Sequence, residues 1–235
     1  MKKQFIQAVE LLTRFHFSCD KRTEEPVLLF LFVVRCLLGL AMTAAAGLMV
    51  WMIKDGLIAA ALGVALITIL HSYITKGKEN RVPLSLLLSF RKKEIDVTVF
   101  SEELLYQQGV ATWCLAIRPL LLFFLLFSGQ WYWVLIVFSL GDAIGLETVI
   151  LKNNLKESMT SVWILAAVIS FVVILLGDIA MKTGNAVLAG MLAFMIAWLL
   201  PHWFKLLPVK KLTFEMGFYL GEIAVTVVLL CFVTL

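Results

Sequence analysis

The residues most able to do chemistry in this chain are ionisable side chains set among apolar ones. Arg35, Arg118, Asp142, Glu147 and Glu222 each interrupt a run of aliphatic and aromatic residues, and Asp178 stands near the end of another. In lipid such groups are expensive alone, so they pair, line a cavity or react. Arg118 lies ten residues before the turn Ser128-Gly129-Gln130 and Asp142 twelve after it. At 1.5 Å per helical residue both stand about 15–18 Å from the turn, which predicts a structural ion pair between them. Arg35, Glu147 and Glu222 fall at comparable depth. They are candidates for a substrate pocket whose carboxylates take up a cation or hydrogen-bond a substrate, with snorkelling to the interface as the alternative. His71 closes one apolar run and His202 follows Pro201 at the end of another; both are placed to meet a headgroup or a ligand, or simply to sit at the interface. The enzyme fingerprints GxSxG, HExxH, the P-loop and GxGxxG are missing from the sequence. Cys19, Cys36, Cys114 and Cys231 lie far apart without metal-ligand spacing and read as small apolar fillers.

The elements that must position these residues follow from composition. Of 235 residues, 62% are hydrophobic and 15% charged, where a water-soluble domain is nearer half and a quarter. The solvent is therefore lipid. The fold class expected is all-α, a polytopic membrane bundle of about seven transmembrane helices in one integral membrane domain, 1–235. Stretches of about 20 apolar residues occur at 27–53, 56–75, 110–127, 131–151, 160–180, 185–204 and 216–235. Residues 1–26 form an interfacial segment. Phe5, Val9, Leu12 and His16 share one helical face there, which predicts an amphipathic helix lying in the membrane surface; no cleavable signal is apparent.

Orientation follows from the basic residues. With the N-terminus inside, sixteen Lys and Arg fall in inner connections and only Lys54 and Lys182 in outer ones. That predicts a bacterial inner-membrane protein with a cytoplasmic N-terminus and an external C-terminus. Residues 76–109 become the one long cytoplasmic loop, the place where function concentrates. The net charge of +4 is too small to suggest a nucleic-acid partner. Ala44, Ala45, Ala46 and Gly47 offer a small-residue surface for homo-oligomers or complexes with other membrane proteins.

Several short motifs carry a resemblance. The segment Phe5–Arg14 ends in Leu-Leu-Thr-Arg, Gly109-Val110-Ala111 opens the span after the long loop, and Thr213-Phe214-Glu215 precedes Glu222 by the spacing of a terminal motif. In these and in its layout the chain resembles a diverged member of the cobalamin synthase family (adenosylcobinamide-GDP ribazoletransferase). The resemblance implies a transferase of cobalamin biosynthesis that joins α-ribazole, or its 5′-phosphate, to GDP-activated cobinamide with release of GMP. It implies corrinoid and nucleotide substrates and Mg²⁺. It makes His71 and Thr213 catalytic positions hydrogen-bonded to a phosphate, and Glu79, Glu215 and Glu222 metal ligands.

The family's signature is a histidine followed by an Asp-rich stretch. His71 matches the histidine, while Tyr73, Gly77 and Asn80 stand where its three aspartates would be. These three side chains bring no negative charge to a hard cation. Three readings therefore remain open: an active ribazoletransferase; a non-catalytic homologue (a pseudoenzyme) serving as a binding or assembly partner; and a small-molecule transporter with Arg35, Glu147 and Glu222 along its path.

Overall fold

The computed structural model describes residues 2–13, 28–75, 116–155, 158–181, 186–206 and 212–233. Among the described residues all regular structure is helical: α1 (Lys2–Leu12), α2 (Leu28–Met52), α3 (Gly56–Ile74), α4 (Ala116–Phe127), α5 (Trp133–Asn153), α6 (Thr160–Met181), α7 (Ala186–Phe204) and α8 (Phe214–Val233). Five of these, α2, α3, α5, α6 and α8, are long and apolar enough to cross a membrane. The expected count was about seven. The other two expected spans correspond to the shorter apolar stretches Ala116–Phe127 and Ala193–Phe204. The loop 76–109, with Glu79, Gly77 and Asn80, lies outside the described residues, as do His16, Cys19 and Cys114.

Local signals set the helix ends. Asp55 caps α3, its carboxylate accepting from the amides of Leu57 and Ile58 at 3.0 and 3.1 Å. Gly129, at φ +80°, makes the turn between α4 and α5. Asn154 ends α5 in the left-handed conformation, φ 54°, its amide returning to the Ile150 carbonyl.

The helix α5 is the axis of the bundle. It packs against α2, α6, α7 and α8, while α3 lies on α2, and α7 also meets α6 and α8. Its residues from Trp133 to Ile150 are almost all buried, Trp133, Phe138 and Leu140 among them. A helix apolar on every side is what a central membrane helix requires. The peripheral helices are apolar outward as well: Trp51, Trp198 and Trp203 are largely exposed, as lipid-facing aromatic residues near helix ends are. The helix α1 packs along α2, with Ala8 and Leu12 buried and Phe5 edge-on to Phe30 at 6.1 Å.

The closest helix contact is between α5 and α8. Gly141 and Gly145 on α5 meet Gly217 and Gly221 on α8. A Cβ on Gly145 would stand 2.5 Å from the Gly217 carbonyl carbon, and one on Gly141 would stand 2.7 Å from the Glu222 backbone. Both helices carry the Gly-x-x-x-Gly spacing, which puts two bare patches one turn apart on one face and lets backbones touch.

Candidate functional site: a buried arginine–carboxylate cluster

Each acid at the centre of the bundle directly follows a glycine of that contact: Asp142 after Gly141, Glu222 after Gly221. The glycine packing therefore brings two carboxylates side by side in the buried interior. Arg35 of α2 lies between them. Its Nε donates to both Asp142 oxygens at 3.1 Å and its Nη2 to Asp142 Oδ1 at 3.0 Å, a forked pairing. Nη2 also donates to Glu222 Oε1. Arg118 of α4 pairs with the other oxygen of the same acid, Nη2 to Oε2 at 2.5 Å. Arg35, Asp142 and Glu222 are at most 1% exposed, whereas Arg118 retains 15%.

His71 of α3 completes the cluster. Its Nε2 faces Arg35 Nη1 at 3.4 Å and Arg118 Nη2 at 3.5 Å. A guanidinium only donates, so Nε2 is placed to accept at both contacts. Aromatic faces close the site. The Arg35 guanidinium carbon lies 4.6 Å from the Phe218 ring centre and 5.7 Å from that of Phe138, and Arg118 lies 5.4 Å from Phe138. Among the described residues, two guanidiniums and two carboxylates, with the imidazole beside them, are drawn here from five helices. Pairing is what permits such burial, since breaking a buried pair leaves a bare charge.

Five expected positions thus meet here, Arg35, His71, Arg118, Asp142 and Glu222. Arg118 reaches Glu222, and Asp142 reaches Arg35. Glu147 does not join them. Five residues beyond Asp142, it is turned by about 140° around α5, and it accepts a hydrogen bond from Trp163 Nε1 of α6. Thr213 is exposed and Glu215 half-buried at the start of α8. Thr213 Oγ1 accepts from the Met216 amide at 3.3 Å, the geometry of a helix cap. Glu215 lies in that helix's first turn, where an acid is favoured by the dipole. His202 is exposed at the end of α7. Arg35, expected beside Glu147 and Glu222, meets Glu222 and also Asp142. The Gly-x-x-x-Gly spacing, present twice, was the signal that finds the α5–α8 contact.

Of the ligands the family resemblance implies for Mg²⁺, Glu79 lies outside the described residues, and Glu215 and Glu222 do not by themselves form a site. Glu215 and Glu222 lie seven residues apart on one helix, about 10 Å along its axis, and a hard cation needs ligand oxygens about 2 Å from itself. Glu222 is already neutralised by two guanidiniums. Among the described residues no group of three His, Cys, Asp or Glu is placed to hold a metal ion.

Comparison with known proteins found no matching family model, no similar curated protein and no similar solved structure.

Proposed function

We propose that this chain is a non-catalytic integral membrane protein, built on a cobalamin-synthase-like scaffold, that works as a binding or assembly partner. The observation supporting this reading is the engagement of Glu222. The acid that the resemblance makes a metal ligand has one oxygen on Arg35 and the other on Arg118. A carboxylate held this way orders a bundle and aims guanidinium donors; it is badly prepared to take up Mg²⁺. Arg118, the most exposed member, would present its guanidinium to the phosphate of a corrinoid or nucleotide ligand. The protein would span a bacterial inner membrane seven times with its N-terminus in the cytoplasm and α1 in the inner interface. Reporter fusions after residues 78 and 129 should then report opposite sides.

The test uses the full chain in lipid nanodiscs with GDP-cobinamide, α-ribazole 5′-phosphate and Mg²⁺. Binding of GDP-cobinamide without GMP release is the expected result. GMP release lost in Glu222→Gln overturns it in favour of the transferase. Absence of both binding and release ends both readings.

One observation favours a second reading, the transporter. Ionised groups from four helices meet inside the bundle, and such intramembrane networks mark substrate and proton paths. Saturable uptake into proteoliposomes, abolished by Glu222→Gln, would establish it. Uptake equal to that of empty vesicles would remove it.

A further inference from the structure

Glu147 poses a separate problem. It lies six residues before the end of α5, about 9 Å within the helix, and it is half-buried among apolar neighbours. Trp163 Nε1 donates to its Oε2. Among the described residues its other oxygen accepts no hydrogen bond and no cationic side chain lies within 4.0 Å of the carboxylate. His202 is near enough to feel its charge but makes no direct ion pair with it. A carboxylate in such a place must hold a proton or a cation from outside.

The surroundings say what kind of cation. Trp163 stands edge-on to Phe194 of α7, ring centres 5.9 Å apart at 82°. Glu147, Trp163 and Phe194 are all half-buried, while their neighbours Ile164 and Trp198 are largely exposed. The carboxylate therefore lies at the lipid-facing edge of the bundle, beside two aromatic rings. Water to complete the shell of a hard metal ion is scarce there. Aromatic rings and a single carboxylate suit a cation whose charge is spread over apolar groups. The ammonium of an aminophospholipid rides in the headgroup layer, above this depth.

We propose that Glu147, Trp163 and Phe194 form a lateral binding site for lipophilic organic cations, entered from the lipid. The carboxylate supplies the countercharge, Trp163 aims it, and the two rings take up the apolar substituents. This site shares no residue with the arginine cluster and stands or falls apart from the proposed function.

The test uses full-length protein in phosphatidylcholine nanodiscs and tetraphenylphosphonium, followed by equilibrium dialysis and by tryptophan fluorescence. Saturable binding of one cation per chain is expected, weakened roughly tenfold or more in Glu147→Gln and kept in part by Glu147→Asp. Trp163→Phe, which keeps a ring but removes the donor, should weaken it less. The anion tetraphenylborate, of the same shape, should not compete. Equal binding in Glu147→Gln, or uptake no greater than in empty nanodiscs, overturns the proposal. So does loss of binding when phosphatidylethanolamine replaces phosphatidylcholine, which would make a lipid headgroup the occupant. The melting temperature of each variant separates lost binding from lost fold.

Discussion

The Cβ that Gly221 lacks would fall 1.9 Å from the carbonyl oxygen of Gly141. No side-chain adjustment relieves that clash, because the obstructing atom belongs to the backbone of α5. This single closeness sets how far apart Asp142 and Glu222 stand, and thereby what Arg35 can reach.

Gly221→Ala should accordingly separate α5 from α8 and destabilise the protein by about 3 kcal/mol, the upper end of ordinary overpacking. Gly56→Ala is the control, since nothing lies within 4 Å of the added methyl group. Thermal unfolding in detergent should show a large fall for the first and little change for the second.

Arg35→Met should leave Asp142 and Glu222 facing each other without a cation between them. Loss of one partner from a buried pair costs about 3–5 kcal/mol. The double variant Arg35→Met, Asp142→Leu should recover part of that loss. A double-mutant cycle showing simple additivity would mean that Arg35 and Asp142 are not coupled.

His71 should be neutral, with its proton on Nδ1, because two guanidiniums face Nε2. Nitrogen-15 spectra of the labelled ring should show Nε2 in the unprotonated range. A protonated Nε2 would require Arg35 and Arg118 to have withdrawn from it.

Asn153 ties the end of α5 to the segment leading into α8. Its Nδ2 donates to the Leu212 carbonyl at 2.9 Å and its Oδ1 accepts from the Leu212 amide at 3.3 Å. Asn153→Ala should lower stability by about 1–3 kcal/mol, the penalty for unmade hydrogen bonds in a half-buried place. Asn153→Asp, which keeps the acceptor alone, should fall between the two. Chemical or thermal unfolding ranks them.

Depth in the bilayer is legible from sequence, because counting residues along a helix is counting ångströms. That reasoning put Arg118 and Asp142 at one level and Arg35, Glu147 and Glu222 at another, nearer the inner ends of their spans. It could not distinguish the side of α5 that bears Asp142 from the side that bears Glu147. In a soluble helix the polar face gives the azimuth away; here lipid and protein interior are equally apolar, and α5 shows almost no preference around its circumference. The partner choice of Arg118, which reaches Glu222, depends on that missing angle. The α5–α8 contact was different. Gly141, Gly145, Gly217 and Gly221 carry it in plain spacing, and the acid after Gly141 and after Gly221 follows from it. Thr213 and Glu215, named through the resemblance, stand as a helix cap and a first-turn acid at the start of α8.

The span between the partners in the central cluster also bears on how the protein is made. Arg35 and Glu222 are 187 residues apart in sequence. During synthesis α2 reaches the membrane with a bare arginine long before α8 exists, and it must wait near the surface or beside the insertion machinery. Chains broken off before the final helix would leave Arg35 and Arg118 without the acid they share. The acid that Arg35 and Arg118 share thus joins them only when α8 packs.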